Sequence, residues 1–188
     1  MHRSILLILI VFGFLAFGGG TLAARKDKPQ QPPKPDPKTA ENKKPDRTRE
    51  VLQYWDREGE VLRSRTPIKG NIPHGVVEEY WPDGKTIKGR TPFVNGQVHG
   101  VAKTYDRKGN LQTEVATVKS KITHVKSYYD NGKLQFAVPY KNGKRDGVEK
   151  YYSKAGKLLR ATTYKAGVKD GLQKDFFENG ALKTETMY

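Results

Sequence analysis

Three of the four histidines in this 188-residue chain stand 25 residues apart, a spacing that first suggests a metal site. Zinc binds imidazole nitrogen at about 2.1 Å, whereas equivalent positions two strands apart in an antiparallel sheet are separated by about 9.6 Å. His74, His99 and His124 therefore cannot share one ion. His74 and His99 also precede a recurrent glycine where later copies have Asp146 and Asp170. We interpret the histidines as polar turn residues and expect neither a metal nor another cofactor.

Other signatures of catalysis are also missing from the sequence. The chain has no cysteine, no Gly-x-Ser-x-Gly segment, no phosphate-binding glycine loop and no long helical pattern that could carry a His-Glu-x-x-His site. A thiol nucleophile, a disulfide and a thiolate metal site are thereby excluded. We expect a protein that is not an enzyme and has no catalytic residues.

A short phrase recurs six times: an aromatic residue, a glycine four positions later and, usually, an apolar residue two positions further on. The aromatic residues, here called the rungs, are Trp55, Tyr80, Tyr105, Tyr128, Tyr152 and Phe176. The glycines are Gly59, Gly84, Gly109, Gly132, Gly156 and Gly180, at intervals of 23 to 25 residues. A fixed period of this length indicates a repeat architecture, in which each unit buries its apolar face against its neighbours.

Strand-like runs about 12 residues apart, bounded by Asn-Gly, Asp-Gly and Ala-Gly turns, predict an all-β antiparallel meander. Two strands in each of six units give about twelve strands. A three-residue loop with glycine in the left-handed conformation pairs Tyr128 with Leu134 and sets the recurrent aromatic and apolar positions on one face. The same rule pairs Tyr152 with Leu158, Phe176 with Leu182, Tyr105 with Leu111 and Tyr80 with Thr86.

A second set of glycines starts the next unit at Gly75, Gly100, Gly147 and Gly171. The third unit lacks this glycine, and its period shortens at residues 118–123. We expect an irregular joint there, either a bend or a slipped strand pairing. Because only 35% of the chain is hydrophobic, we expect the rungs to supply a thin, ring-rich core.

Further rings flank the rungs in some copies only. They are Tyr54, Trp81, Tyr129, Tyr151 and Phe177. Adjacent residues of a strand point to opposite faces, so these rings leave the face that the rungs occupy. If that face of a single-layer sheet is wet, they form an exposed patch and are candidate partner-binding residues.

The first 50 residues differ from the repeats. Residues 1–24 have a short basic start, an apolar run at 5–17 and small residues at the end, which predicts a secretory signal peptide; an uncleaved membrane anchor is the alternative. Residues 25–50 contain six prolines and many lysines, which predicts a disordered linker. Residues 51–188 are then the repeat domain, and the protein is secreted, periplasmic or at the cell surface.

The formal net charge is +15 at pH 7, and residues 51–188 contain 25 basic residues against 15 acidic ones. Outside the cytoplasm, this charge favours an acidic protein, an acidic envelope polymer or an anionic lipid as partner. Nucleic acid is disfavoured by the leader and by the lack of a recognition motif. The alternative is that the lysines serve solubility, by blocking association of free sheet edges. The oligomeric state stays open.

The clearest copies resemble a known family. The stretch 128–134, Tyr-Tyr-Asp-Asn-Gly-Lys-Leu, followed by 140–147 and Tyr151-Tyr152, is similar to the MORN-like variant repeat of bacterial YwqK-family antitoxins. The resemblance covers 51–188 and implies stacked β-hairpins in one elongated twisted sheet, with a role in interaction. We expect an extracytoplasmic, non-catalytic module that binds or scaffolds a protein or envelope partner. The alternative is a toxin-neutralising antitoxin or immunity protein.

Overall fold

A computed structural model describes residues 48–188, which form one antiparallel β-sheet and contain no helix. The strands are β1 Arg49–Tyr54, β2 Leu62–Lys69, β3 Ile72–Pro73, β4 Gly75–Tyr80, β5 Ile87–Val94, β6 Gln97–Val98, β7 Gly100–Tyr105, β8 Leu111–Val118, β9 Lys121–Tyr128, β10 Leu134–Lys141, β11 Lys144–Arg145, β12 Gly147–Tyr152, β13 Leu158–Lys165, β14 Val168–Phe176 and β15 Leu182–Met187. Twelve of them are neighbours in chain order, and β3, β6 and β11 pair with β2, β5 and β10. The predicted all-β meander of consecutive hairpins is confirmed.

The predicted leader and almost all of the predicted linker lie outside the described residues. The last two linker residues, Arg49 and Glu50, already belong to β1. Within 48–188, no helix is long and apolar enough to span a membrane.

The register of the long hairpins follows the predicted rule in four units. Tyr105 pairs with Leu111, Tyr128 with Leu134, Tyr152 with Leu158 and Phe176 with Leu182. A register shift lies next to each of these pairs. The six glycines of the first set have φ between 66° and 87°, the left-handed conformation that the predicted loop requires.

The first two units depart from the rule because their loops are longer. Tyr54, rather than Trp55, pairs with Leu62, since loop 55–61 has one extra residue before its glycine and one after it. Tyr80 pairs with Ile87 rather than with Thr86, since loop 81–86 has an extra residue after its glycine. Trp55 therefore starts a loop, and Tyr54 takes the strand-end position of a rung.

The two faces of the sheet follow from the pairing, because directly opposed residues share a face. Face 1 is the face on which Val115, Val125 and Val138 are paired across β8, β9 and β10. Face 2 carries the rungs and charged residues: the hydroxyl of Tyr128 donates a 2.7 Å hydrogen bond to Glu114, which is paired with Lys103.

The core lies on face 1 and is mainly aliphatic. All seven buried apolar residues of the described chain are there: Ile68, Phe93, Val98, Ala102, Val115, Val125 and Val138. The expected ring-rich core is therefore wrong. Tyr80, Tyr105, Tyr128, Tyr152 and Phe176 are only half-buried and Trp55 is exposed. The rungs stand at the loop ends of their strands, whereas the buried valines lie in mid-strand and are covered from both adjacent strands, as Val125 is by Val115 and Val138.

The short turns that join the units lie at the other ends of the strands. In the third unit, the turn is made by Lys119 and Ser120, both with positive φ. The pairing of β8 with β9 shifts register between Ala116 and Thr117, as predicted for this joint. Without the second glycine, β9 continues unbroken from Lys121 to Tyr128.

Candidate functional site

Three slots on face 1 change from apolar to polar along the chain. At four of the five short turns, these slots hold a strand residue, its partner beside the turn and a third residue four positions after that partner. These triplets are Ile68–Pro73–Val77, Phe93–Val98–Ala102, Tyr140–Arg145–Glu149 and Tyr164–Lys169–Gln173. The early units thus fill the slots with core residues, whereas the last two contain a ring, a cation and a hydrogen-bond acceptor.

Arg145 lies at the centre of the altered slots. Its Nη1 is 3.1 Å from Oε2 of Glu149 and donates a 3.2 Å hydrogen bond to the hydroxyl of Tyr164. Its guanidinium carbon is 5.2 Å from the Tyr164 ring centroid. The Glu149 side chain is only 6% exposed, whereas that of Arg145 is 31% exposed. One partner of this ion pair is therefore inside the sheet surface and the other reaches solvent.

The next unit repeats the arrangement with a longer reach. Nζ of Lys169 donates hydrogen bonds of 2.9 Å to Oε1 of Gln173 and 3.0 Å to the hydroxyl of Tyr188. It lies 4.3 Å from the Tyr188 ring centroid. We call the set Arg145, Glu149, Tyr151, Tyr164 and Lys169 the polar cluster.

Burial raises the pKa of Glu149 above its ordinary value of 4.5, and the nearby Arg145 charge opposes this shift. Desolvating a carboxylate is costly unless a cation compensates it. The chain therefore keeps an expensive group in a slot that Val77 or Ala102 fills cheaply in other units.

Solvent reaches the cluster beside Tyr151. Its ring is 38% exposed and lies 5.8 Å, centroid to centroid, from Phe136 at an interplanar angle of 42°. In the same row, Arg160 contacts the Asp175 carboxylate. Burial acts to raise the pKa of Asp175, but hydrogen bonds from Arg160 and Gln173 lower it below the ordinary value. The surface thus offers an exposed ring together with fixed donors and acceptors.

The predicted flanking rings do not form one patch. Tyr151 is on face 1 and Tyr54 on face 2, while Trp81, Tyr129 and Phe177 start loops at the ends of long hairpins. None is fully buried: Tyr54 is 38% exposed and Phe177 50%, and Trp81 and Tyr129 are half-buried.

The loop rings instead share a cation contact. Arg63 lies 4.8 Å from the Trp55 ring, Lys88 and Arg107 lie 5.5 and 5.3 Å from Trp81, Lys154 lies 5.9 Å from Tyr129 and Lys183 lies 5.6 Å from Phe177. The Tyr129 hydroxyl also donates a 2.8 Å hydrogen bond to the Tyr152 carbonyl. The contacts of Arg107 with Trp81 and of Lys154 with Tyr129 join the loops of neighbouring units, whereas the other three lie within one unit.

Rungs on face 2 bind charged neighbours. The hydroxyl of Tyr80 donates a 2.8 Å hydrogen bond to Glu78, and that of Tyr128 donates to Glu114. Burial, together with the Glu114 hydrogen bond, raises the pKa of Tyr128 to about 12. Glu114 also lies 3.2 Å from Lys103, so its charges are compensated within the sheet.

The histidines lie apart from the polar cluster: His74 and His99 are in short turns, whereas His124 is within β9, paired with Ala116 and Pro139. Nδ1 of His74 accepts the N–H of Asn95 at 3.4 Å, and Asp146 accepts the N–H of Ala166 at 3.1 Å in the equivalent place. The residue before the second glycine thus accepts a backbone hydrogen bond from the next short turn and holds that turn in place. Residues 48–188 contain no group of three His, Asp or Glu side chains that could hold a metal ion.

Sequence reasoning missed Arg145 and Glu149 because it searched for recurrence. The informative feature was a difference between copies and not a recurrence. The residues two positions after the second-set glycines are Val77, Ala102, Glu149 and Gln173. A charged residue in a slot that earlier units fill with Val77 and Ala102 marks this unit.

The family comparison agrees with the hairpins. A model described as MORN repeat variant matches residues 73–90, 98–119, 123–142, 145–166 and 169–188, more than half of the chain. No curated protein matches. A solved structure, "Crystal structure of GtfA/B complex bound to UDP and GlcNAc", is 14% identical, with a TM-score of 0.28, and the match covers 61% of this chain and 22% of that one, which supports no argument. Because the five matched segments follow the hairpins one after another, the chain belongs to the MORN repeat variant family.

Proposed function

We propose that this protein is a non-catalytic binding module that works outside the cytoplasm, and that it contacts its partner through the polar cluster. Its repeats are of a type that suggests a repeat-based binding module. The observation that carries the proposal is the ion pair between the buried Glu149 and the partly exposed Arg145, in slots that earlier units fill with apolar residues. Such a pair is weak support for stability, so we assign it to recognition.

The chemistry of the cluster indicates the kind of contact. Tyr151 offers a ring and Arg145 offers guanidinium donors, and beside the cluster Gln173 donates a 3.0 Å hydrogen bond to Asp175. Aromatic and arginine side chains that are partly exposed but held in place are typical binding anchors. The partner in this proposal is a protein or an envelope polymer with acidic groups, which Arg145 and Arg160 would meet.

The experiment uses two tyrosines of equal exposure. Tyr151 and Tyr54 are each 38% exposed, but they lie on different faces near opposite ends of the strand order. The full chain is expressed with its leader, and partners are captured from the native envelope fraction. Tyr151→Ala should lose the partner, whereas Tyr54→Ala should retain it. Equal retention by both variants would refute this surface.

The resemblance of residues 128–152 to YwqK-family antitoxins supports a second candidate, neutralisation of a toxin by occlusion. Under this proposal the captured partner is a single protein whose toxicity is suppressed by co-expression of this chain. Tyr151→Ala should then restore growth arrest. Growth that stays unaffected by the substitution would contradict occlusion through the polar cluster.

A further inference from the structure

Positive charge is distributed unevenly between the two ends of the strands. The six loops of the long hairpins, residues 55–61, 81–86, 106–110, 129–133, 153–157 and 177–181, contain seven basic and seven acidic residues. The five short-turn segments, residues 69–74, 94–99, 118–123, 141–146 and 165–170, contain eight basic and two acidic residues. The excess charge thus lies along the short-turn end.

Within that end, the charge concentrates in the last three turns. We call Lys119, Lys121, Lys141 and Lys144 the lysine row. All four side chains are exposed. Within residues 48–188, their ammonium groups have no hydrogen bond, ion pair or ring contact.

The two acidic residues of these segments are too few to neutralise their eight basic residues, and neither lies in an ion pair with the row. Asp146 accepts the backbone N–H of Ala166 at 3.1 Å, and Asp170 lies 4.0 Å from Lys165. The turns themselves are held in place, because the N–H of Ser120 donates to Val98 and that of Gly167 donates to Arg145, each at 2.8 Å. The lysine row therefore projects from turns whose backbone is held in place.

Successive short turns are two strands apart, which places pairs of lysines about 9.6 Å from one another along a line. This spacing exceeds the Debye length of about 8 Å at physiological ionic strength, so an anion bound at one pair is largely screened from the next pair. A single small anion would meet only one pair. A linear chain of anionic groups would meet all of them and release its counterions.

We propose that the lysine row binds a linear polyanion, a polymer with a phosphate or phosphodiester in each repeat. This adds a second set of binding residues to the proposed function, and none of the four lysines belongs to the polar cluster. A bilayer is the less suitable partner, because rings that favour a membrane interface lie elsewhere: Trp81, Tyr129 and Phe177 are at the opposite ends of the strands.

The test uses long-chain inorganic polyphosphate as the probe and two variants of equal charge. One replaces the lysine row, as Lys119→Gln, Lys121→Gln, Lys141→Gln and Lys144→Gln. The control replaces four cations of the hairpin loops, as Arg57→Gln, Lys85→Gln, Lys108→Gln and Lys157→Gln. Circular dichroism verifies that both are folded, and affinity is measured over a series of salt concentrations.

The lysine-row variant should bind polyphosphate at least about tenfold more weakly, and its log–log salt slope should be shallower by about 3. The control should keep the slope of the original chain. Tyr151→Ala should leave polyphosphate binding unchanged, so failure of the proposed function and failure of this inference are distinguishable.

Three results would overturn the inference. They are equal loss of affinity in both variants, orthophosphate competing as well as polyphosphate at equal phosphate concentration, and binding to anionic phospholipid vesicles without binding to polyphosphate. The last would identify a lipid surface as the partner instead of a soluble polymer.

Discussion

Replacing Arg145 by valine removes the cation that faces the buried Glu149 carboxylate. Valine is the residue that the third unit has in the same slot, at Val98. Glu149 then has no charged partner at 3.1 Å. It will take up a proton when this costs less than burying the charge. Protonating a carboxyl of ordinary pKa 4.5 at pH 7 costs about 3.4 kcal/mol. This cost is the upper limit of the free energy of unfolding that the chain loses through the unpaired charge.

The same limit makes the loss depend on pH. At pH 5.5 neutralisation costs only about 1.4 kcal/mol. The folded-state pKa of Glu149 is raised by burial already in the original chain, and removing Arg145 raises it further. Because the folded-state pKa of this carboxyl is raised, its contribution to the free energy of unfolding is fully present below pH 4.5. That contribution is lost as the pH rises through the folded-state pKa. We expect Arg145→Val to lower the free energy of unfolding by about 3 kcal/mol at pH 7 and by about 1 to 2 kcal/mol at pH 5.5.

Urea unfolding followed by circular dichroism at the two pH values measures this difference. A loss that is independent of pH would refute the reasoning, because it would mean that Glu149 remains ionised or is hydrated without Arg145. A loss well below 1 kcal/mol at pH 7 would show that the pair is not buried as described.

The double variant Arg145→Val with Glu149→Ala provides the matched control. It restores the apolar residues of the third unit, Val98 and Ala102, and leaves no unpaired charge. Apolar replacement of both partners of a buried ion pair is often neutral or stabilising by about 1 to 4 kcal/mol. We expect a free energy of unfolding equal to or above that of the original chain, without the pH dependence of the single variant.

Tyr128→Phe should lower the free energy of unfolding by about 1 to 2 kcal/mol in urea titrations at pH 7, because Glu114 loses its 2.7 Å hydrogen bond. The Tyr128 hydrogen bond and the nearby lysines lower the Glu114 pKa, so this difference should shrink as the pH falls through that pKa; a constant difference would contradict the assignment. Gly147→Ala should cost about 3 kcal/mol in thermal unfolding, because φ is 111° and the new Cβ would lie 2.9 Å from Pro139. Gly132→Ala, with φ of 77° and no atom within 4 Å of the new Cβ, should cost only about 1 kcal/mol; equal losses would contradict the steric argument.

Strand pairing could be predicted because loop geometry restricts it tightly. The six-residue separation of Tyr128 and Leu134, with Gly132 between them, is compatible with only one short hairpin that puts both on one face. The same counting failed in the first unit, where the extra residues of loop 55–61 move Tyr54 into the rung position. Insertions in a loop cost little, so they are not visible from the strand pattern.

The position of the core was predicted wrongly for a different reason. Tyr152 and its equivalents recur because each unit needs an aromatic residue at the end of its long hairpin. Burial of a side chain depends instead on whether both neighbouring strands cover it. Face 1 has Val115, Thr117 and Thr162 in buried positions, and small β-branched residues of this kind interchange freely between copies. Their variation concealed the core from a search for repeated letters.

The polar cluster could be found from the sequence only by comparing equivalent slots. Arg145 and Glu149 are four residues apart in a strand-rich segment, a spacing that carries no meaning until the pairing of Tyr140 with Arg145 places the slots on face 1. The contact with Tyr164 then depends on the next strand. Long-range pairing of this kind is set by tertiary structure and not by local pattern.

Capture of a partner by the double variant Arg145→Val with Glu149→Ala tests the central claim most directly, because this chain is expected to be as stable as the original but lacks the ion pair. The original chain and the double variant are compared in pull-downs from the native envelope fraction, with unfolding measured on the same samples. The account predicts a discrete partner on the original chain that is lost from a stably folded double variant. Equal recovery on both, or a partner on neither, would contradict it.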